Sequence, residues 1–205
     1  MLAVLFGNKI SFNENDLESV VAACVAGNSQ AQRCLYKQFF GYAKSICNRY
    51  TSTKEEAEEV LNEGFFKVFK NIETYDASYP FKVWLRTIIV NTAISNYRKQ
   101  RKHTEERIAL EDAPYLGFEE DIVTHITAEE ILTLIQHIKP VYKNVFLLYF
   151  VDGYNHREVG DLLGINEATV RSHYVRARAI LQHLIKQNYP HLYPGVRSGR
   201  ALQEH

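Results

Sequence analysis

The sequence has no excess of either charge: 24 basic residues stand against 24 acidic ones in a chain of 205. A protein held on nucleic acid or on an anionic membrane by bulk attraction is thereby excluded, and any such contact must come from where the charges lie. Cysteine is scarce, and Cys24, Cys34 and Cys47 are spaced as no metal motif is. They sit among apolar residues of helix-like segments, so buried, reduced thiols and a cytoplasmic setting are expected. No run approaches the roughly 18 apolar residues of a membrane span. The opening "MLAVLFGNKISF" lacks the basic stretch of a signal peptide and its apolar run is short, so neither insertion nor export is expected. Also lacking are the alternation of strands, internal repeats, low-complexity tracts and a glycine loop able to cradle phosphate. What is there is 46% apolar content, enough to give one large or two small domains real cores.

The periodicity is helical throughout. Residues 16–26, "DLESVVAACVA", read as a short amphipathic helix closed by Gly27, with Asn28 or Ser29 capping the next. From Ala31 to Tyr50 the positions Leu35, Phe39, Tyr42, Ile46 and Tyr50 keep one face. "TSTKEEAEEV" restarts the pattern with Ser52 or Thr53 as cap and acids in the first turn, predicting a third helix to about Ile72. "ETYDASYP" is polar, aperiodic and ends in Pro80, so it is a loop, and a fourth helix from about Phe81 carries Trp84, Leu85, Ile88, Ile89 and Ile94. Between Ile108 and Ile138 there is no Lys or Arg but seven acids, namely Glu111, Asp112, Glu119, Glu120, Asp121, Glu129 and Glu130. Pro114 and Gly117 interrupt any helix there, which marks a domain boundary. "PVYKNVFLLYFVDGY" at 140–154 then reads as a buried helix opened by Pro140 and stopped by Gly153. The end, with Pro190, Pro194, Gly195 and Gly199, reads as irregular.

"REVGDLLGINEATVRSHYVRARAIL" at 157–181 is a helix, a tight turn and a second helix. Asn155 and Glu158 have capping-box spacing, Val159, Leu162 and Leu163 give an apolar stripe, and Gly164 suits a left-handed cap. Asn166 can cap the second helix, whose inward stripe is Val170, Tyr174, Ala177, Leu181 and Leu184. Left outside are Glu167, Ala168, Arg171, Ser172, Val175, Arg176 and Arg178, a face that fits a DNA major groove. The plain alternative is a helical hairpin with a solvated basic face.

Two further constellations carry chemistry. Glu59, Asn62 and Glu63 share one face of the third helix, where they either dock a basic partner helix or form a solvated charged surface. No histidine is placed to complete a metal or acid–base site with them, so neither an enzyme, a metal nor a cofactor is expected. Tyr75, Tyr79, Phe81 and Trp84 stand beside Arg86, Asn91, Asn96 and the basic run Arg98, Lys99, Arg101 and Lys102. Aromatic rings next to cations suit an unpaired base, whose stacking is worth about 1–3 kcal/mol. Trp84 taken alone fits the core, since it shares the spacing of Leu85 and Ile88.

Three stretches together carry a resemblance: "EEAEEVLNEGFFKVFKNI" at 55–72, "FKVWLRTIIVNTAISNYRK" at 81–99 and "VFLLYFVDGYNHREVGDLLGINEATVRSHYVRARAIL" at 145–181. In this order they resemble the sigma factors of bacterial RNA polymerase, sigma-70 family, in the small extracytoplasmic-function (ECF) group. The resemblance implies an all-α fold of two small helical domains. Region 2 would cover residues 14–105, an acidic linker 106–130, the helix-turn-helix region 4 residues 131–187, and a tail 188–205. It implies that core RNA polymerase docks on Glu59, Asn62, Glu63 and Phe66. Single-stranded minus-10 promoter DNA would meet Tyr75, Asp76, Ser78, Trp84, Arg86, Asn91, Asn96, Arg98, Lys99, Arg101 and Lys102. Duplex minus-35 DNA would meet Arg157, Glu167, Ala168, Arg171, Ser172, Val175, Arg176 and Arg178. An anti-sigma factor is the further partner implied. Two positions depart from the family's pattern: Ser95 stands where Asp is frequent, and Gly160 where Ala is usual, a change that loosens a helix by up to about 1 kcal/mol. The competing functions are a stand-alone helix-turn-helix regulator, which has no need of the Glu59, Asn62 and Glu63 face, and a sigma-like decoy for an anti-sigma protein, which has no need of Arg171 and Arg176.

Overall fold

A computed structural model describes residues 11–103 and 126–192, and among them every regular element is helical. The chain forms two compact units, one ending at Glu106 and the other starting at Arg107.

In the first unit local chemistry sets each boundary. α1, Leu17–Val25, starts where the Asp16 carboxylate accepts the Glu18 N–H, and the chain turns at Gly27, whose φ of 79° is strained for any residue with a Cβ. Asn28 accepts from the N–H groups of Gln30 and Ala31 and opens α2, Ser29–Tyr50. Thr53 caps α3, Lys54–Lys70, while Ser52 instead donates its N–H to Glu56. A single 3-10 turn, Ile72–Thr74, leads to the loop before α4, Phe81–His103. The core lies where α2, α3 and α4 pack together: Leu35, Phe39, Ala43, Ile46 and Cys47 meet Val60, Leu61, Phe65 and Val68, with Leu85, Ile89 and Ile94. Each large apolar side chain so buried contributes about 1.5–3 kcal/mol. Gly64 allows α3 and α4 to approach, since a Cβ there would run into Cδ1 of Ile89. Tyr42, expected in the buried stripe, is half-buried and donates its hydroxyl to the Lys82 carbonyl at 3.4 Å. The three thiols are free; burial pushes Cys24 up to about 11 and Cys47 to about 12, whereas Cys34 is only half-buried, contrary to expectation.

The second unit begins earlier than its sequence suggests. α5, Ala128–Ile135, is opened by a complete capping box in which Thr127 and Glu130 bond reciprocally, and Ile126 before it is buried. Glu129 and Glu130 are therefore first-turn helix residues at the positive end of the dipole, not the end of an acidic linker. The other five acids of that stretch lie outside the described residues. α6, Pro140–Phe146, is not followed by more α-helix: Leu147–Val151 is π-helical, with Asp152 donating to the Leu147 carbonyl at 2.9 Å. The wider turn brings Leu147 and Leu148 into the core while Phe150 stands 57% exposed, stacked on Phe146. Gly153, with φ at 78°, ends the segment. α7, His156–Leu163, and α8, Glu167–Asn188, complete the unit, and α8 packs against α5, α6 and α7. α8 runs through Asn188 into a 3-10 turn, Pro190–Leu192, where an irregular tail is expected; Pro194, Gly195 and Gly199 lie outside the described residues. Val170, Ala177, Leu181 and Ile185 form its buried stripe, and Tyr174 and Leu184, expected there, are half-buried.

Candidate docking face and nucleic-acid interfaces

Helical spacing along α3 puts Glu59, Asn62, Glu63 and Phe66 on the side away from Val60, Leu61 and Phe65. Glu59 and Asn62 are exposed, and Phe66 keeps 67% of its surface accessible. Glu63 is half-buried because it is engaged: its Oε1 lies 2.7 Å from the Lys67 ammonium, one helical turn on. That hydrogen bond, helped by the charges of Lys67 and Lys99, holds its carboxyl below the usual range. Lys67 also donates to Oγ1 of Thr92 on α4 at 3.3 Å, and Thr92 donates to the Ile88 carbonyl. Glu63 and Lys67 have the glutamate-to-lysine i, i+4 order that favours pairing, a signal legible in the sequence though Lys67 is not among the residues expected at the site.

The loop before α4 is built by short-range bonds. The Asp76 carboxylate accepts the Ser78 N–H at 2.9 Å, which lowers its pKa, and the Tyr75 hydroxyl donates to the Tyr79 carbonyl at 2.7 Å. Tyr75 packs its ring on Phe81 and Trp84, with centroids 5.1 and 5.4 Å away, and Phe81 rests on Phe39 of α2. Trp84 thus sits between the two readings open to it: half-buried, anchored to the core on one side, accessible on the other. Tyr79 and Val83 are 64% and 56% exposed beside this cluster, so Val83 adds accessible apolar surface where a valine in a helix would be expected in the core.

From Trp84 an accessible stripe climbs α4 at three- and four-residue steps through Thr87, Asn91, Ser95 and Arg98, with Lys99 exposed beside it and Arg101 half-buried. Arg86 is half-buried. Asn96 is a correction: one residue off the stripe, it turns toward the packed side and is only 8% exposed, so its amide is not offered to DNA. The side chain of Lys102 lies outside the described residues.

In the second unit the Asn155 side chain accepts from the Glu158 N–H at 2.9 Å while Glu158 accepts from the Asn155 N–H at 2.8 Å. Gly164, at φ 67°, reverses the chain, and Asn166 accepts from the Thr169 N–H to start α8. Gly160 has a steric reason. A Cβ there would stand 2.7 Å from the Ile165 carbonyl oxygen and touch Val170, so the turn closes against a bare α-carbon. On the outer face Arg157, Glu167, Ala168, Arg171, Ser172 and Val175 are exposed, with Arg171 paired to Glu167. Arg176 and Arg178 are half-buried, each guanidinium lying over a ring, Tyr142 at 5.9 Å and Tyr174 at 5.7 Å. The face therefore presents a cation, a hydroxyl and an apolar tip within two turns, the mix that reads guanine edges and thymine methyls.

Among the described residues no helix is long and apolar enough to cross a membrane, and no cluster of metal-ligating side chains occurs. A family profile described as Sigma-70 region 2 matches residues 35–103, and one described as Sigma-70, region 4 matches residues 128–181. The chain is similar to the ECF RNA polymerase sigma-E factor of Haemophilus influenzae, 24% identical over 82% of this chain and 95% of that one. It is likewise similar to the ECF RNA polymerase sigma factor SigW of Bacillus subtilis, 25% identical over 69% of this chain and 81% of that one. Among solved structures it is similar to the sigma factor RpoE in complex with the anti-sigma factor NepR from Bartonella quintana, with a TM-score of 0.45 and 17% identity over 75% of this chain and 96% of that one.

Proposed function

The chain belongs to the sigma-70 family of RNA polymerase sigma factors, in its ECF group, and from that premise we propose which of its surfaces does which part of promoter recognition. As a sigma factor it is an initiation factor, not a catalyst, and it directs core RNA polymerase to promoters. Core polymerase docks on Glu59, Asn62, Glu63 and Phe66, where carboxylates attract a basic helix and the phenyl ring supplies the apolar anchor that interfaces need at their centre. The loop Tyr75–Pro80 takes an unpaired minus-10 base beside Tyr79, Val83 and the open edge of Trp84. Asn91, Arg98, Lys99 and Arg101 hold the strand's backbone. Arg157, Arg171, Ser172, Val175 and Arg176 meet the minus-35 duplex. An anti-sigma factor fits as a further partner, because covering Phe66 and its acidic neighbours withholds the factor from polymerase. Partners of this kind place it in the cytoplasm.

The observation that carries this reading is the accessible phenyl ring amid acids on α3, with an aromatic loop and a polar stripe on the adjoining α4. A stand-alone regulator has no use for either. Pull-down of core polymerase followed by transcription in vitro from a promoter library tests it. The double substitution Asn62→Ala, Glu63→Ala is expected to abolish core binding while leaving helical content intact, since Asn62 is exposed and losing the solvent-screened Glu63–Lys67 pair costs under about 1 kcal/mol. Unchanged core affinity would remove the docking assignment.

A further inference from the structure

Glu63 occupies a position that the docking reading alone does not explain. An anchor for a partner's cation should be free, yet this carboxylate already holds Lys67 at 2.7 Å. Lys67 in turn reaches across to Thr92 of α4 at 3.3 Å, and Thr92 is fully buried, so the ammonium rests at the seam between the two helices. Lys99 lies two turns beyond Thr92 on the same face of α4 and is exposed. Its charge, like that of Lys67, draws the Glu63 carboxyl toward the ionised state. One carboxylate therefore bonds one cation, and a second lies within reach of its charge, at the border of the stripe assigned to promoter DNA.

We propose that Lys67 is a DNA-backbone contact that Glu63 neutralises in the free chain and that docking of core polymerase through Glu63 releases, together with Lys99, to the promoter. The inference rests on the docking reading for its second half only; neutralisation of Lys67 by Glu63 is a property of the free chain. When a cation of the partner engages the carboxylate, the field at Lys67 and Lys99 loses its nearest negative charge. Their attraction for phosphate rises by the same coupling free energy with which DNA strengthens docking, because linkage is reciprocal. Side chains here are about a third exposed, 35% for Lys67 and 32% for Glu63, so the ammonium can swing out without unfolding the seam.

The test has two arms. Without polymerase, the full-length Glu63→Gln chain is expected to bind a random-sequence 30-base-pair duplex several-fold more tightly than wild type. Its plot of log affinity against log salt should be steeper by about 1, with the gain lost in Glu63→Gln, Lys67→Met. With polymerase in saturating excess, the Lys67→Met holoenzyme is expected to bind a promoter selected by the wild-type holoenzyme with a salt slope shallower by about 1. Lys67→Arg should keep the wild-type slope, and core affinity of Lys67→Met should be no weaker than wild type. An unchanged slope in both arms overturns the inference while leaving docking through Glu63 intact. Core affinity unaltered by Glu63→Gln overturns the docking role and leaves the first arm standing. If Lys67→Met loses thermal stability and Lys67→Arg does not restore the slope, Lys67 only clasps α3 to α4 and the inference fails.

Discussion

Glu63 also has a consequence for stability that separates it from its exposed neighbours. Its folded pKa lies below the 4.5 of a free glutamate, chiefly through the Lys67 hydrogen bond. A depressed carboxyl stabilises the fold at pH values above its unfolded pKa and loses that contribution as the pH falls through the folded value. Glu63→Gln should therefore be less stable than wild type at neutral pH by under about 1 kcal/mol, the size of a solvent-screened pair. The gap should close at an acid pH below that lowered folded value. Denaturant titrations of both chains at the two pH values check this, and a gap that widens in acid would refute it. A larger effect is expected in the second unit. The Gln182 side chain is 3% exposed and neither of its polar atoms has a hydrogen-bond partner among the described residues. A buried amide left so costs about 1–3 kcal/mol. Gln182→Met, which keeps length and removes the amide, is expected to raise the melting temperature, and a fall would show that the amide is satisfied by water.

At the scale of elements, the turn between α7 and α8 makes a steric demand on backbone rather than on a flexible side chain. Gly160→Ala improves helix propensity by about 1 kcal/mol. It also sets a methyl 2.7 Å from a backbone oxygen that cannot rotate away. Overpacking against a rigid atom costs about 1–3 kcal/mol, so the balance should be destabilising. A melting curve that shifts upward would mean that the turn opens freely. Reading Gly160 as a loosened helix, as the sequence alone suggests, misses this because the conflicting atom belongs to Ile165, beyond the helix end. The same limit explains the other discrepancies. Caps at Asn28, Thr53, Asn155 and Asn166 are legible because donor and acceptor lie within three residues. The exposed α3 face is legible from helical spacing. The π-helical Leu147–Val151, the burial of Asn96 and the link from Lys67 to Thr92 depend on what packs against them, and periodicity does not report that.

Over the whole molecule, neutrality hides strong segregation: residues 108–138 hold seven acids and no Lys or Arg, while α8 carries Arg171, Arg176, Arg178 and Lys186 against Glu167 alone. Neutralising several phosphates gives binding that falls steeply with salt, but a chain of zero formal charge lacks the long-range attraction that brings a protein to DNA. Acids so close in the chain to the second DNA-reading helix are expected to compete with phosphate for its cations. On the proposed assignment of the two DNA contacts, polymerase changes the balance by holding both over one promoter, which turns the second contact into an intramolecular one. The intact chain alone is therefore expected to bind promoter weakly and with little preference, and the holoenzyme to be specific. Residues 126–192, which keep α5 and its packing on α8 but drop Glu111, Asp112, Glu119, Glu120 and Asp121, should bind minus-35 duplex more tightly than the intact free chain. A fragment starting at Lys139 would lack α5 and should bind less well than the longer one. Titrations of chain, fragments and holoenzyme at two salt concentrations decide it. Tight, sequence-specific binding by the intact chain without polymerase would mean that its acids do not restrain it, and that promoter choice does not depend on the polymerase bringing the two contacts together.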